Sequence, residues 1–206
     1  MQRIIVTGCG TEVGKTVVAA ILTVCVGGDY WKPIECGEEI ESDTAVMKKL
    51  LDLSKHTVHA PAYSFQAPLS PHHAARLENR AIALSSIIVP ETQRPLIIET
   101  AGGIFVPLTT QSMNIDLCAS WAGLWVVVSR HYLGSINHTL LTVHALKERG
   151  VSIAGIVFNG EPNPDSEAAI LEISQVPYLG RVLPLPYINH ETIERLAQQW
   201  SGIPLL

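Results

Sequence analysis

A chain of 206 residues, 47% apolar and 16% charged, is long and apolar enough to bury a sizeable core, which excludes a disordered chain. A net charge of −5 with no run of Lys or Arg recommends neither nucleic acid nor an anionic membrane as partner. No apolar run reaches the roughly 18 residues of a membrane span, no export signal opens the chain, and Cys9, Cys25, Cys36 and Cys118 are scattered without a C-x-x-C pair, so reduced thiols and a cytoplasmic location are expected.

The first predicted strand covers residues 3–7 and runs into Gly8-Cys9-Gly10-Thr11-Glu12-Val13-Gly14-Lys15-Thr16. A strand, a glycine-rich loop and Gly-Lys-Thr opening a helix form a phosphate-cradling P-loop. Its backbone N–H groups and the positive end of the following helix would surround phosphate oxygens. Lys15 would reach the outer phosphates, and Thr16 would offer its hydroxyl to Mg²⁺. The spacing departs from G-x-x-x-x-G-K-[ST], because Cys9 stands at the first glycine and Gly8 lies one residue further out.

A helix over residues 16–25, a Gly27-Gly28 turn and a strand over residues 30–34 follow. A helix over 43–53 has Ser42 as N-cap. Residues 61–71 read as irregular, with a helix beginning near Ser70-Pro71-His72. Strands are expected over 96–98 and 124–128, and a helix over 135–149 is closed by Gly150. A strand over 153–158, a helix over 165–174, a strand over 180–183 and a helix over 191–200 complete the chain. Continuous apolar strands alternating with helices predict one domain over residues 1–206. It is an α/β fold of three layers, α/β/α, P-loop NTPase-like, with a mostly parallel central sheet.

Ligands of such sheets gather at the carboxyl ends of the strands, so the polar residues there are the candidates. Lys32 lies at the end of the second strand. Glu99 follows the apolar run Leu96-Ile97-Ile98 and precedes Thr100-Ala101-Gly102-Gly103, a position suited to a carboxylate facing Mg²⁺. Asp43, read alone, is a first-turn acid favoured by the helix dipole. His56-x-x-His59 and His72-His73 lack a third ligand at zinc spacing. Trp121, Trp125 and Trp200 read as core or interface residues. Cys36 reads as a packed or substrate-contacting thiol, or as a nucleophile whose pKa Lys32 lowers.

Several of these segments together resemble the dethiobiotin synthetase family. They are residues 8–16, Lys32-Pro33-Ile34, Ser42-Asp43, Ser70-Pro71-His72, Glu99-Thr100-Ala101-Gly102-Gly103, Leu133-Gly134-Ser135-Ile136-Asn137-His138 and Phe158-Asn159-Gly160, in the family's order. That family also uses the longer glycine spacing. The resemblance implies an ATP- and Mg²⁺-dependent ligase that closes the ureido ring of dethiobiotin from 7,8-diaminopelargonic acid and CO₂, through a carbamate and its phosphoric anhydride.

By resemblance, Lys15 and Lys32 contact the transferring phosphoryl group. Glu12, Val13, Gly14, Lys15, Thr16, Val17, Asp43, Glu99, Gly102, Asn159, Gly160 and Pro184 bind the nucleotide, with Asn159 on the base. Thr16, Asp43 and Glu99 hold Mg²⁺. Cys36, Ser70, Pro71, Gly134, Ser135, Ile136 and Asn137 contact the substrate, the last four across the interface of a homodimer, with Ser135 capping its own helix as the simpler alternative. Cys36 stands where the family has Ser or Thr, Thr100 where it has Gly next to phosphate, and the stretch 27–43 is short for it.

A second reading is a partition or septum-positioning ATPase switch. Those depend on a lysine five residues before the P-loop lysine, where this chain has Gly10, and often end in a basic membrane helix, whereas residues 191–200 carry two acids and one Arg. An amidotransferase-like synthetase of the same fold is a third reading, but no glutaminase triad is apparent.

Overall fold

The computed structural model describes residues 2–200 and 202. In chain order the elements are β1 (Arg3–Gly8), α1 (Lys15–Cys25), β2 (Asp29–Trp31), β3 (Ile34–Cys36), α2 (Asp43–Leu50), β4 (Val58–His59), β5 (Tyr63–Phe65), α3 (Pro71–Leu77), β6 (Leu96–Gly103), α4 (Asn114–Cys118), β7 (Leu124–Arg130), α5 (Ser135–Glu148), β8 (Ser152–Asn159), α6 (Pro164–Ser174), β9 (Tyr178–Val182) and α7 (His190–Gln199). Seven strands form one sheet in the order β4-β2-β6-β1-β7-β8-β9, every neighbouring pair parallel.

Side chains alternate across a strand, and both faces here are apolar, so each face needs a helical cover. Ile4 and Val6 of β1, Ile97 of β6 and Val126 and Val128 of β7 pack against Val18 and Leu22 of α1, Met47 of α2 and Ile193 and Leu196 of α7. Ile5, Ile98, Trp125 and Val127 point the other way, toward Ala74 of α3, Ile115 of α4, Val143 and Leu146 of α5 and Ile170 of α6. The result is the expected three layers. Trp125 is buried in that second core, Trp121 lies 5.4 Å from the ring of Trp31, and Trp200 covers Gly180.

The strand expected over 30–34 is two strands. Trp31 pairs with Ile98 in the main sheet, whereas Ile34 pairs with Tyr63 of β5 in a separate two-stranded sheet. Pro33 lies at the change of sheet: it has no N–H for a ladder, and its carbonyl instead accepts from the N–H groups of Ala62 and Tyr63. The segment 61–71, expected to be irregular, therefore holds β5. The α2 helix stops at Leu50 because Leu51 turns extended and buries its side chain. Ser42 caps its start by accepting from the N–H of Ala45 at 3.1 Å. β6 does not end at Glu99 but continues to Gly103, pairing Gly8 with Gly103 after an irregularity beyond Val6.

Candidate functional site

The carboxyl ends of β1, β2, β6, β7 and β8 lie along one edge of the sheet. Between β1 and α1 the chain turns through Glu12 and Gly14, both in the left-handed region at φ 56° and 95°. A Cβ on Gly14 would stand 2.2 Å from Asn159 Nδ2, so only glycine fits there. Asn159 Nδ2 donates to the carbonyl of Val13 at 2.9 Å and ties the end of β8 to the loop. Lys15 is 6% exposed and its Nζ donates to the carbonyl of Gly10 at 3.1 Å. Burial lowers its pKa and nearby Lys32 adds to that, against the pull of Glu99 and Asp43.

Beside the loop, Lys32 Nζ binds Asp43 Oδ2 and stands 3.4 Å from Glu99 Oε1. The Thr16 hydroxyl donates to Asp43 Oδ1 and lies 3.1 Å from Glu99 Oε1. Burial works against the Lys32 ammonium, but the Glu99 and Asp43 carboxylates outweigh it and leave the pKa raised. Burial raises the pKa of Glu99, and Lys32 opposes it only in part. For Asp43 the balance falls the other way: burial pushes up, and Lys32 with the Thr16 hydroxyl brings the pKa below the usual carboxylate range. A hydroxyl and two carboxylates, oxygen donors throughout, match a hard divalent cation that also binds phosphate oxygens.

This cluster opens into a cleft of about 490 Å³, lined by Thr11, Glu12, Lys32, Cys36, Asp43, Ser70, Pro71 and Gly102 among others. The expected substrate residues Cys36, Ser70 and Pro71 are thus brought to the same cleft as Glu12 and Gly102. Burial pushes the Cys36 thiol up to about 11, and Lys32 lowers it by less. That burial works against the reading of Cys36 as a nucleophile activated by Lys32. Thr100 does not reach toward the cleft either. It is 1% exposed, and its hydroxyl donates to the Gly102 carbonyl at 2.8 Å and lies 3.0 Å from Thr7 Oγ1.

Val13 is buried beneath the loop and Val17 half-buried on α1. Gly160 donates its N–H to the carbonyl of Val182 at 2.8 Å, and its own carbonyl accepts from Arg181 Nη1 at 3.1 Å. Arg181 also pairs with Glu167, whose other oxygen stands 2.8 Å from His131 Nε2. Pro184 is exposed just beyond β9. Gly134, Ser135, Ile136 and Asn137 do not line the cleft. Gly134, at φ 100°, is the N-cap of α5 and no side chain caps it, so Ser135 does not cap its own helix. His56 Nδ1 lies 2.7 Å from the Gly28 carbonyl, His59 3.9 Å from Asp29, and His72 beside Ser70.

Two partners were not read from the sequence. Tyr30 donates its hydroxyl to Glu99 Oε2 at 2.9 Å, and Glu35 accepts from the N–H of Thr44 at 2.7 Å in the first turn of α2. Tyr30 had a signal: two residues before Lys32, on an extended chain, it shares that residue's face.

The AAA domain family matches residues 2–192. The ATP-dependent dethiobiotin synthetase BioD of Christiangramia forsetii is 42% identical over 195 residues, covering 95% of this chain and 94% of that protein. Its counterpart from Nitrobacter hamburgensis is 44% identical over 199 residues, covering 97% and 92%. By shape, the septum site-determining protein MinD of Pyrococcus horikoshii, solved with Mg-ADP, overlays 98% of the chain and 96% of its own with a TM-score of 0.55 at 14% identity. A plasmid partition protein of Borrelia burgdorferi bound to AMPPNP gives 0.56 at 9% identity, over 98% and 96%. Likeness at that identity is likeness of fold alone.

Proposed function

Since the chain belongs to the dethiobiotin synthetase family, we propose that it forms dethiobiotin in biotin biosynthesis, as a cyclo-ligase that joins 7,8-diaminopelargonic acid and CO₂ at the expense of ATP. The observation that carries the reading is the cluster of Lys15, Lys32, Thr16, Asp43 and Glu99, of which Lys32 and Asp43 line a cleft together with Cys36, Ser70 and Pro71. The partition and septum-positioning reading is left with the fold alone, and Gly10 stands where its second lysine belongs.

In the proposed reaction one amine of the substrate takes up CO₂ as a carbamate. A carbamate oxygen attacks the γ-phosphate and releases ADP, and the second amine then displaces phosphate and closes the ring. Phosphoryl transfer needs positioning and charge neutralisation more than a covalent group. Lys15, folded back on the Gly10 carbonyl, would extend along the outer phosphates. Lys32 stays an ammonium between two carboxylates and would face the carbamate and the phosphoryl oxygens. The oxygen donors fit Mg²⁺, which Thr16, Asp43 and Glu99 would hold and which, when bound, supplies positive charge to the phosphate oxygens. Glu12, Val13, Gly14, Val17 and Gly102 would enclose the nucleotide, with Asn159, Gly160 and Pro184 beside its base.

The start of α5 lies outside the cleft, exposed at Gly134 and Asn137. The Ser135 N–H donates to the Tyr132 carbonyl at 2.9 Å, and the N–H groups of Ile136 and Asn137 that follow in the first turn would suit the carboxylate that ends diaminopelargonate. In a homodimer, Gly134, Ser135, Ile136 and Asn137 would complete the neighbouring copy's site. The whole chain would act as one domain in the cytoplasm; none of the described helices is long and apolar enough to cross a membrane. Incubation with diaminopelargonate, bicarbonate and MgATP should yield dethiobiotin by mass spectrometry. ATP turnover with no such product overturns the reading.

A further inference from the structure

Glu99 has two carboxylate oxygens in two different environments. Oε1 faces the Thr16 hydroxyl at 3.1 Å and Lys32 Nζ at 3.4 Å, and Lys32 lines the cleft. Oε2 points back into the core and accepts from the Tyr30 hydroxyl at 2.9 Å. Tyr30 is fully buried in β2, between β4 and β6, paired with Val58 on one side and Ile97 on the other. Its phenol is therefore fixed by backbone ladders on both sides and by the core around it. Glu99 is on β6, two residues beyond Ile97, so it shares the face on which Tyr30 projects.

We propose that Tyr30 is the positioning residue for Glu99, holding one oxygen in the core so that the other alone is presented to the phosphate side of the cleft. A carboxylate free to turn could give both oxygens to Lys32 or to a cation. The Tyr30 bond removes that freedom before any ligand arrives, so the carboxylate does not have to be ordered on binding. The inference rests on the reading of Glu99 as a group facing the nucleotide phosphates and their metal.

The test uses the full-length protein and the variants Tyr30→Phe, which removes only the hydroxyl, and Tyr30→Met, which keeps an apolar side chain. Mn²⁺ is titrated by electron paramagnetic resonance with ADP present, and steady-state constants are measured alongside. Both variants should bind Mn²⁺ about tenfold more weakly and raise the KM for MgATP similarly, as expected for a lost hydrogen bond to a charged group. The KM for diaminopelargonate should stay within about twofold, because the bond touches the phosphate side only. In a Glu99→Gln background, Tyr30→Phe should add less than about twofold to the loss of Mn²⁺ affinity, because the two residues act as one unit. Unchanged Mn²⁺ affinity, equal rises in both KM values, or the full loss repeated in the Glu99→Gln background would each overturn the assignment. If the wild type makes no dethiobiotin, the functional reading falls while the Mn²⁺ titration still decides the role of Tyr30.

Discussion

At the scale of single residues, burial and neighbours set the two lysines apart. Lys15 sits against a backbone carbonyl with its pKa lowered by burial, whereas Lys32 is held charged by two carboxylates. Both bring positive charge to the place where phosphoryl charge would move, so Lys15→Ala and Lys32→Ala should each cut kcat by about 10²-fold or more. Undiminished turnover in Lys32→Ala would remove it from the machinery and leave the P-loop untouched. Cys36 gives the opposite expectation. With its thiol pushed up to about 11, the thiolate fraction near neutral pH is only about 10⁻⁴. Alkylation of Cys36 should therefore be slow at neutral pH and rise about tenfold per pH unit up to that value, read by peptide mass mapping. Cys36→Ser should keep or raise turnover, since a hydroxyl is the stronger donor toward a carbamate. Fast alkylation of Cys36 at neutral pH would restore the nucleophile reading.

At the scale of elements, the contiguous features were legible and the assembled ones were not. The strand, loop and helix of residues 3–25 announce themselves because every residue the phosphate site needs there is local in sequence. α5 is readable from an unbroken stretch without Gly or Pro over residues 135–149 and from Gly150 at its end. The break at Pro33 is not readable: the apolar run Tyr30-Trp31 continues across it to Ile34, and two three-residue strands carry too little period to declare a second sheet. The contacts of Tyr30 with Glu99, of Thr7 with Thr100, and of Arg181 with Glu167 join residues 14 to 93 positions apart, which no local pattern encodes. Glu35 shows what such a contact does. From β3 it accepts from the N–H of Thr44 while Ser42 accepts from that of Ala45, so the small sheet and the chain's own cap together fix the turn that carries Asp43. Glu35→Ala should lower stability by about 1 kcal/mol, measured by urea unfolding, and raise the KM for ATP, because the first turn of α2 loosens. Gly14→Ala should be more severe, since its Cβ would displace the Asn159 amide and its backbone is left-handed. ATP binding by calorimetry should fall about 10²-fold or more, with the fold retained by circular dichroism.

At the scale of the molecule, the cleft and the start of α5 stand apart on one copy of the chain. Leu133 is fully exposed, with Tyr132 and Leu141 also open to solvent, so apolar surface surrounds a helix N-terminus that no side chain caps. Tyr132 lies 2.8 Å from His138 Nδ1 in the same segment and 4.0 Å from Cys9 Sγ of the P-loop. An apolar surround suits a second copy, and an uncapped N-terminus suits an anion. The proposed two-fold dimer would satisfy both at once, with diaminopelargonate lying between one copy's lysines and the other's α5. Asn137 is exposed in the first turn of that helix, where an acid favours the helix dipole and disturbs no core. Asn137→Glu should therefore leave the fold and the KM for ATP unchanged. It should raise the KM for diaminopelargonate about tenfold, because the new carboxylate repels the one that docks there. The wild type should sediment at twice the 22.4 kDa of one chain. Equal effects on the two substrates, or a fully active 22.4 kDa monomer, would place the whole substrate site within one copy.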